Sequence, residues 1–74
     1  MSTYIVCTAD GTILITERGE TLPPELVIQE NVPEGGFYID LTGQEPFDTM
    51  DIMDINTNYK VDPKKKKLVK IEKE

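Results

Sequence analysis

The residues best suited to bind a metal ion are three oxygen-bearing side chains at alternate positions, Asp54, Asn56 and Asn58. This spacing matches the first three ligands of a calcium-binding loop, in which the sixth residue is a glycine and the twelfth a glutamate. Here the sixth position is Tyr59 and the twelfth is Lys65. Because both required positions fail, we interpret the stretch as a solvated acidic loop or contact surface and predict no metal site.

Covalent or acid–base catalysis has no recognisable set of residues in this chain. The single cysteine, Cys7, lacks a histidine partner because the chain contains no histidine, and a catalytic thiol is usually activated by such a base. Its apolar neighbours Ile5 and Val6 indicate a small buried side chain instead. Fourteen acids make chance carboxylate pairs inevitable, and no glycine pattern for phosphate binding occurs. We predict neither enzymatic activity nor a cofactor.

Four consecutive lysines, Lys64, Lys65, Lys66 and Lys67, are the most concentrated charge in the chain. Such a run can attract nucleic acid. The overall charge of −6 opposes this, and no aromatic residue is interleaved with the lysines to stack on bases. We therefore expect no nucleic-acid partner. Two interpretations stay open, a solvated hairpin turn or a contact with an acidic protein surface.

The charges are divided along the chain. Residues 1–59 contain eleven acids and one base, Arg18, whereas residues 60–74 contain seven lysines and three acids. A chain divided in this way can attract a second copy of itself, or its tail can fold back on its own acidic body. The division points towards binding or assembly.

Apolar residues between positions 47 and 55 form a second candidate contact. Methionine adapts to irregular surfaces, and a chain of 74 residues has little interior in which to bury this set. We therefore add five residues to the four lysines as interface candidates: Phe47, Met50, Ile52, Met53 and Ile55. The segment fits a strand or a helix, and we predict no regular structure for it.

Strands must position most of these residues, since the hydrophobic period through most of the chain is two. Residues 3–8 and 12–17 flank Asp10-Gly11, which is the signal for a two-residue type I′ turn with positive φ at both positions. They predict a first hairpin over residues 3–17. No other stretch of the sequence has so strong a local signal.

Two further hairpins are predicted. Residues 25–30 and 37–41 flank a turn at 33–36 and indicate a hairpin over residues 26–42, with Phe37, Ile39 and Leu41 on its inner face. An irregular acidic segment at 43–58 follows and ends in a loop at 56–58. Residues 59–61 and 68–71 surround the lysine turn and predict a carboxy-terminal hairpin over residues 59–72.

The expected fold is all-β or β-dominated, a small single domain of about six short strands joined as hairpins. Its core is small, and one cysteine permits no disulfide within the chain, so we predict that a partner chain stabilises it. The amino terminus lacks a basic n-region. No apolar run approaches the roughly 18 residues of a membrane span. We expect a soluble protein, made in a reducing bacterial cytoplasm, with no membrane partner and no small-molecule substrate.

Three stretches also carry a resemblance to a known group of proteins. They are Tyr4-Ile5-Val6 with Asp10-Gly11-Thr12-Ile13, then Phe37-Tyr38-Ile39-Asp40-Leu41-Thr42-Gly43, then Tyr59-Lys60-Val61-Asp62 with Lys67-Leu68-Val69-Lys70-Ile71. In order and spacing the chain resembles the short proteins encoded among the tail genes of phages of Gram-positive bacteria. The resemblance implies a small structural part of a tail, baseplate, fibre or tail-like bacteriocin particle, located in the virion or particle. It implies no catalytic residues.

The sequence therefore predicts a non-enzymatic structural protein that assembles with copies of itself or with larger structural proteins. The alternative is a small acidic inhibitor or regulator of one host protein, because an acidic surface can mimic nucleic acid. Stoichiometry separates the two. A structural part is present in fixed multiple copies, whereas an inhibitor binds a single target.

Overall fold

The computed structural model describes residues 2–71. The predicted first hairpin is present in it. Strand β1 (Ser2–Cys7) pairs antiparallel with strand β2 (Ile13–Gly19). The turn differs from the predicted type I′ geometry. The Thr8 carbonyl accepts the Gly11 amide at 3.0 Å, and Gly11 alone in this turn has positive φ, at 94°. The Asp10 carboxylate accepts the Thr12 amide, which holds a three-residue loop.

A β-bulge decides which residues of β2 enter the core. Val6 pairs with Ile15 but Cys7 pairs with Ile13, so Leu14 is the extra residue. Without the bulge Leu14 would lie opposite Cys7 on the inner face. With it, Ile13 packs against the core and Leu14 is 50 % exposed.

The predicted hairpin over residues 26–42 is wrong. Its first half is helix α1 (Glu25–Glu30), and its second half is strand β3 (Phe37–Asp40), which pairs antiparallel with β1. The Pro24 carbonyl accepts the amides of Val27 and Ile28 and so opens the helix. Six residues are too few for periodicity to separate helix from strand. Burial of Ile28 against the sheet outweighs β propensity here.

The segment 43–58, predicted to be irregular, is irregular only in its first half. Turns occupy residues 42–43 and 45–49, and helix α2 (Ile52–Asn58) follows. The Asp51 carboxylate accepts the Met53 amide at 2.8 Å, which is an N-cap. Ile55 is fully buried. The loop predicted at 56–58 is therefore the last turn of α2.

The carboxy-terminal hairpin is confirmed within the described residues, while position 72 of its predicted span lies outside them. Strand β4 (Tyr59–Asp62) pairs antiparallel with strand β5 (Lys67–Lys70). The Asp62 carboxylate accepts the amides of Lys64 and Lys65, and Lys66 has a φ of 53°. These contacts close the four-residue link between the strands.

The elements form three layers. The first sheet has the order β2-β1-β3, and its inner face packs on α2 and on the β4–β5 sheet. That interface contains the main core, whose fully or almost fully buried members are Ile5, Cys7, Leu41, Ile55 and Val61.

Helix α1 lies on the opposite face of the first sheet. Val6 and Tyr38 point to that face because they alternate with Ile5 and Ile39. Val6 is fully buried outside the main core cluster, and the Glu25 carboxylate of α1 lies near enough to the Tyr38 hydroxyl to contribute, after burial, to the raised pKa of Tyr38. The described part of the chain therefore has five strands and two helices. This confirms a β-dominated fold but not six hairpin strands.

No helix within residues 2–71 is long and apolar enough to cross a membrane.

Candidate interaction surfaces

The residues that resemble a calcium loop lie on helix α2. Asp54 and Asn58 are one helical turn apart, while Asn56 projects elsewhere and accepts a hydrogen bond from the Thr16 hydroxyl. A helix cannot wrap these side chains around one ion as a loop does. Within residues 2–71 no group of three or more cysteine or acidic side chains is gathered in a way that would hold a metal.

Cys7 lies in the core rather than at an accessible site. Its side chain is fully buried, and the thiol lies 3.4 Å from the Phe37 carbonyl oxygen, to which it donates. Burial is the main cause that raises the pKa of this thiol, which keeps it protonated and unreactive. The predicted burial of Cys7 is confirmed.

Most apolar interface candidates on the 47–55 segment belong to the core. Ile55 is fully buried, and Phe47 and Met50 pack against the core cluster. Phe47 also meets Tyr59 edge to face, with ring centroids 5.2 Å apart. Met53 differs, because 71 % of its surface is exposed on the outer side of α2. In this fold it is the member of the set best placed to touch a partner.

Ile52 lines an open depression beside β2. Its other lining residues are Arg18, Gly19, Glu20 and Asp51. The Arg18 guanidinium in this lining already donates to the Thr3 hydroxyl and to the Phe47 carbonyl. We therefore assign no ligand to this depression.

Sequence reasoning missed the structural role of Arg18. Its Nε donates to the Thr3 hydroxyl oxygen at 3.0 Å, and Nη2 donates to the Phe47 carbonyl at 2.8 Å. The Thr3 hydroxyl in turn donates to Asp48 Oδ1 at 3.1 Å, and the Gly43 amide donates to Asp48 Oδ2 at 3.0 Å. The network ties the 43–50 loop to strands β1 and β2. The one sequence feature that could have indicated this role is that Arg18 is the single base among eleven acids in residues 1–59.

The Asp48 carboxylate is stabilised in its charged form by this network. The Gly43 amide is the largest cause that lowers its pKa, and the Thr3 hydroxyl and the Arg18 charge add to it. Hydrogen bonds to a carboxylate favour ionisation in this way. The group therefore serves to hold the loop.

The lysine hairpin, defined here as residues 59–70, presents six lysines and one aspartate. Lys64, Lys65 and Lys67 are exposed, and among residues 2–71 they form no ion pair. The Lys66 ammonium lies 5.1 Å from the centroid of the Phe37 ring, a cation–π contact. Within residues 2–71 the acidic body thus forms no ion pair with these turn lysines.

The outer face of the lysine hairpin is both basic and partly apolar. Leu68 and Val61 point inward to the core, so the alternating residues point outward. Lys60 lies opposite Val69 in the register, and Val69 is 37 % exposed. Lys67 is the next outward residue along β5.

The α1 surface, defined as Glu25, Leu26, Val27 and Glu30, has the complementary character. Leu26 is 81 % exposed and Val27 is 47 % exposed. Glu30 lies one helical turn from both, so a carboxylate borders the apolar pair. Sequence reasoning missed this surface because it assigned the segment to a strand.

No protein-family model matches the chain, and no curated protein or solved structure is significantly similar to it. The surfaces are therefore interpreted from their own geometry and charge.

Proposed function

We propose that the chain is a small non-enzymatic assembly protein that binds copies of itself or larger structural proteins. The observation that carries this proposal is the pair of exposed surfaces of opposite charge. The lysine hairpin is basic, the α1 surface is acidic, and each contains exposed aliphatic side chains. Mixed apolar and charged patches of this kind suit protein interfaces better than solvent.

The setting we propose is a phage tail, baseplate, fibre or related tail-like particle. The sequence resemblance described above supports it. A small part with two separate contact surfaces also suits a repetitive particle, in which each copy must touch more than one neighbour. The proposed location is therefore the virion or particle.

Co-expression with the genes adjacent to its own tests this function. Large particles are separated on a density gradient, and the copy number of the chain in them is measured by quantitative mass spectrometry. We expect a fixed copy number above one in each particle. A chain that stays at the top of the gradient, or that binds one host protein in equal amounts, would overturn the proposal and favour the inhibitor.

Replacement of Lys64 to Lys67 by serine should lower incorporation, because the exposed charges that orient the contact are lost. Replacement of the same four residues by arginine is the matched control, since it keeps the charge. Equal incorporation of the serine and arginine variants would show that the lysines are a solvated turn.

A further inference from the structure

The three-layer arrangement separates the two charged surfaces within one chain. The lysine hairpin packs on the inner face of the first sheet, through Val61 and Leu68. Helix α1 covers the opposite face, where Glu25 meets Tyr38. Because the first sheet lies between them, the α1 surface and the outer face of the lysine hairpin of one copy point away from each other. Their attraction is available only to a second molecule.

The two surfaces are complementary in more than net charge. On the hairpin, Val69 is flanked by outward lysines. On the helix, Leu26 and Val27 are bordered by glutamates. An apolar centre with an ionic rim is the usual anatomy of a protein interface, with the rim setting orientation and the centre supplying most of the affinity.

We propose that copies of this chain associate head to tail, with the outer face of the lysine hairpin of one copy docked on the α1 surface of the next. This inference rests on the proposed function and names the partner as a second copy. The occupant is a second copy because one chain carries both complementary faces and turns them in opposite directions.

A contact between two different faces does not close on itself in a dimer. Each docked copy still presents a free α1 surface at one end and a free lysine hairpin at the other, so addition continues into a ring or an open stack. A two-fold contact, by contrast, would stop at two copies. The sizes of the species that the wild type forms, and the effect of blocking one face at a time, therefore distinguish a head-to-tail contact from a two-fold contact.

Two blocked variants test the geometry. In the helix-blocked variant, Leu26→Lys and Glu30→Lys place positive charge where the hairpin would dock. In the hairpin-blocked variant, Lys60→Thr, Lys67→Thr and Val69→Thr remove charge and apolar contact but keep β propensity. All five positions are exposed, so the core is unchanged, and circular dichroism checks that each variant folds.

Sedimentation velocity over a concentration series gives the readout. At an ionic strength of about 0.01 M, where the Debye length is about 30 Å, the wild type should form species larger than a dimer. Each blocked variant alone should sediment as the 8.4 kDa monomer. An equal mixture should give a heterodimer of twice that mass and nothing larger, because one variant retains the hairpin and the other retains α1.

Three results would overturn the inference: a wild type that never exceeds a dimer, a blocked variant that still self-associates, or a mixture that stays monomeric. Raising the ionic strength to about 1 M, where the Debye length is about 3 Å, should reduce the assembly of the wild type. Failure here leaves the particle experiment unaffected. A chain found at fixed copy number in particles but lacking this contact keeps the proposed function and loses the head-to-tail geometry.

Discussion

Gly11 lies where the turn of the first hairpin touches strand β4, and Gly11→Ala should be the most damaging single methyl addition in the fold. A Cβ at this position would lie 1.9 Å from the Val61 carbonyl oxygen. The Gly11 carbonyl also accepts the Val61 amide at 2.9 Å. The two backbones must separate to admit the methyl group.

The cost follows from three contributions. A φ of 94° is disfavoured for alanine, at about 1–2 kcal/mol. Loss of the amide hydrogen bond costs about 0.5–1.5 kcal/mol. Partial exposure of Val61, which is 1 % exposed, costs up to about 1.5–3 kcal/mol. The sum, roughly 3–6.5 kcal/mol, compares with a total of about 4–11 kcal/mol for 74 residues.

Gly43→Ala is the matched control, because Gly43 has a φ of 75° and nothing within 4 Å of its added Cβ. It should cost only the backbone contribution, about 1–2 kcal/mol. Urea unfolding followed by circular dichroism gives both values, and hydrogen exchange at the Val61 amide should lose protection in Gly11→Ala alone. Equal destabilisation by the two variants would refute the reasoning.

Three further outcomes follow from contacts in the core and loops. Lys66→Ala should lower the free energy of unfolding by about 0.5–1 kcal/mol through loss of the cation–π contact. The same change in a Phe37→Leu background should cost less, and full additivity in this double-mutant cycle would contradict the contact. Asp48→Asn should destabilise the fold at neutral pH. The folded pKa of Asp48 lies below its ordinary value of 3.8, so the stabilisation is present above that value and fades as the pH falls through the folded pKa. The urea midpoints of the wild type and of Asp48→Asn are compared at acidic and at neutral pH. The same difference at both pH values would argue against a role for the charged carboxylate. Cys7 should react with a thiol reagent only as the fold opens, because it is fully buried. If Cys7 of the folded protein were labelled as fast as Cys7 of the urea-unfolded chain, the thiol would be accessible and this prediction would be wrong.

The sequence by itself determined where two of the chain reversals lie, but not the geometry of the first turn. Asp10-Gly11 and the lysine turn each lie between two short predicted strands, and both predicted hairpins are present. A turn brings neighbouring residues together at small entropic cost, so its signal lies within a few positions. The alternation of Phe37 and Ile39 with Tyr38 likewise predicted their inward and outward faces. The buried state of Cys7 followed from its apolar neighbours.

Tertiary structure decided whatever depended on distant partners. Residues 25–30 form a helix because Ile28 is buried against the sheet, and β3 pairs with β1 across thirty or more positions. The bonds from Arg18 to Thr3 and Phe47 likewise join three separate segments. Charge composition predicted an acidic body and a basic tail. Only the layering placed the lysine hairpin and the α1 surface on opposite sides of one sheet, because burial of apolar faces fixes the order of layers.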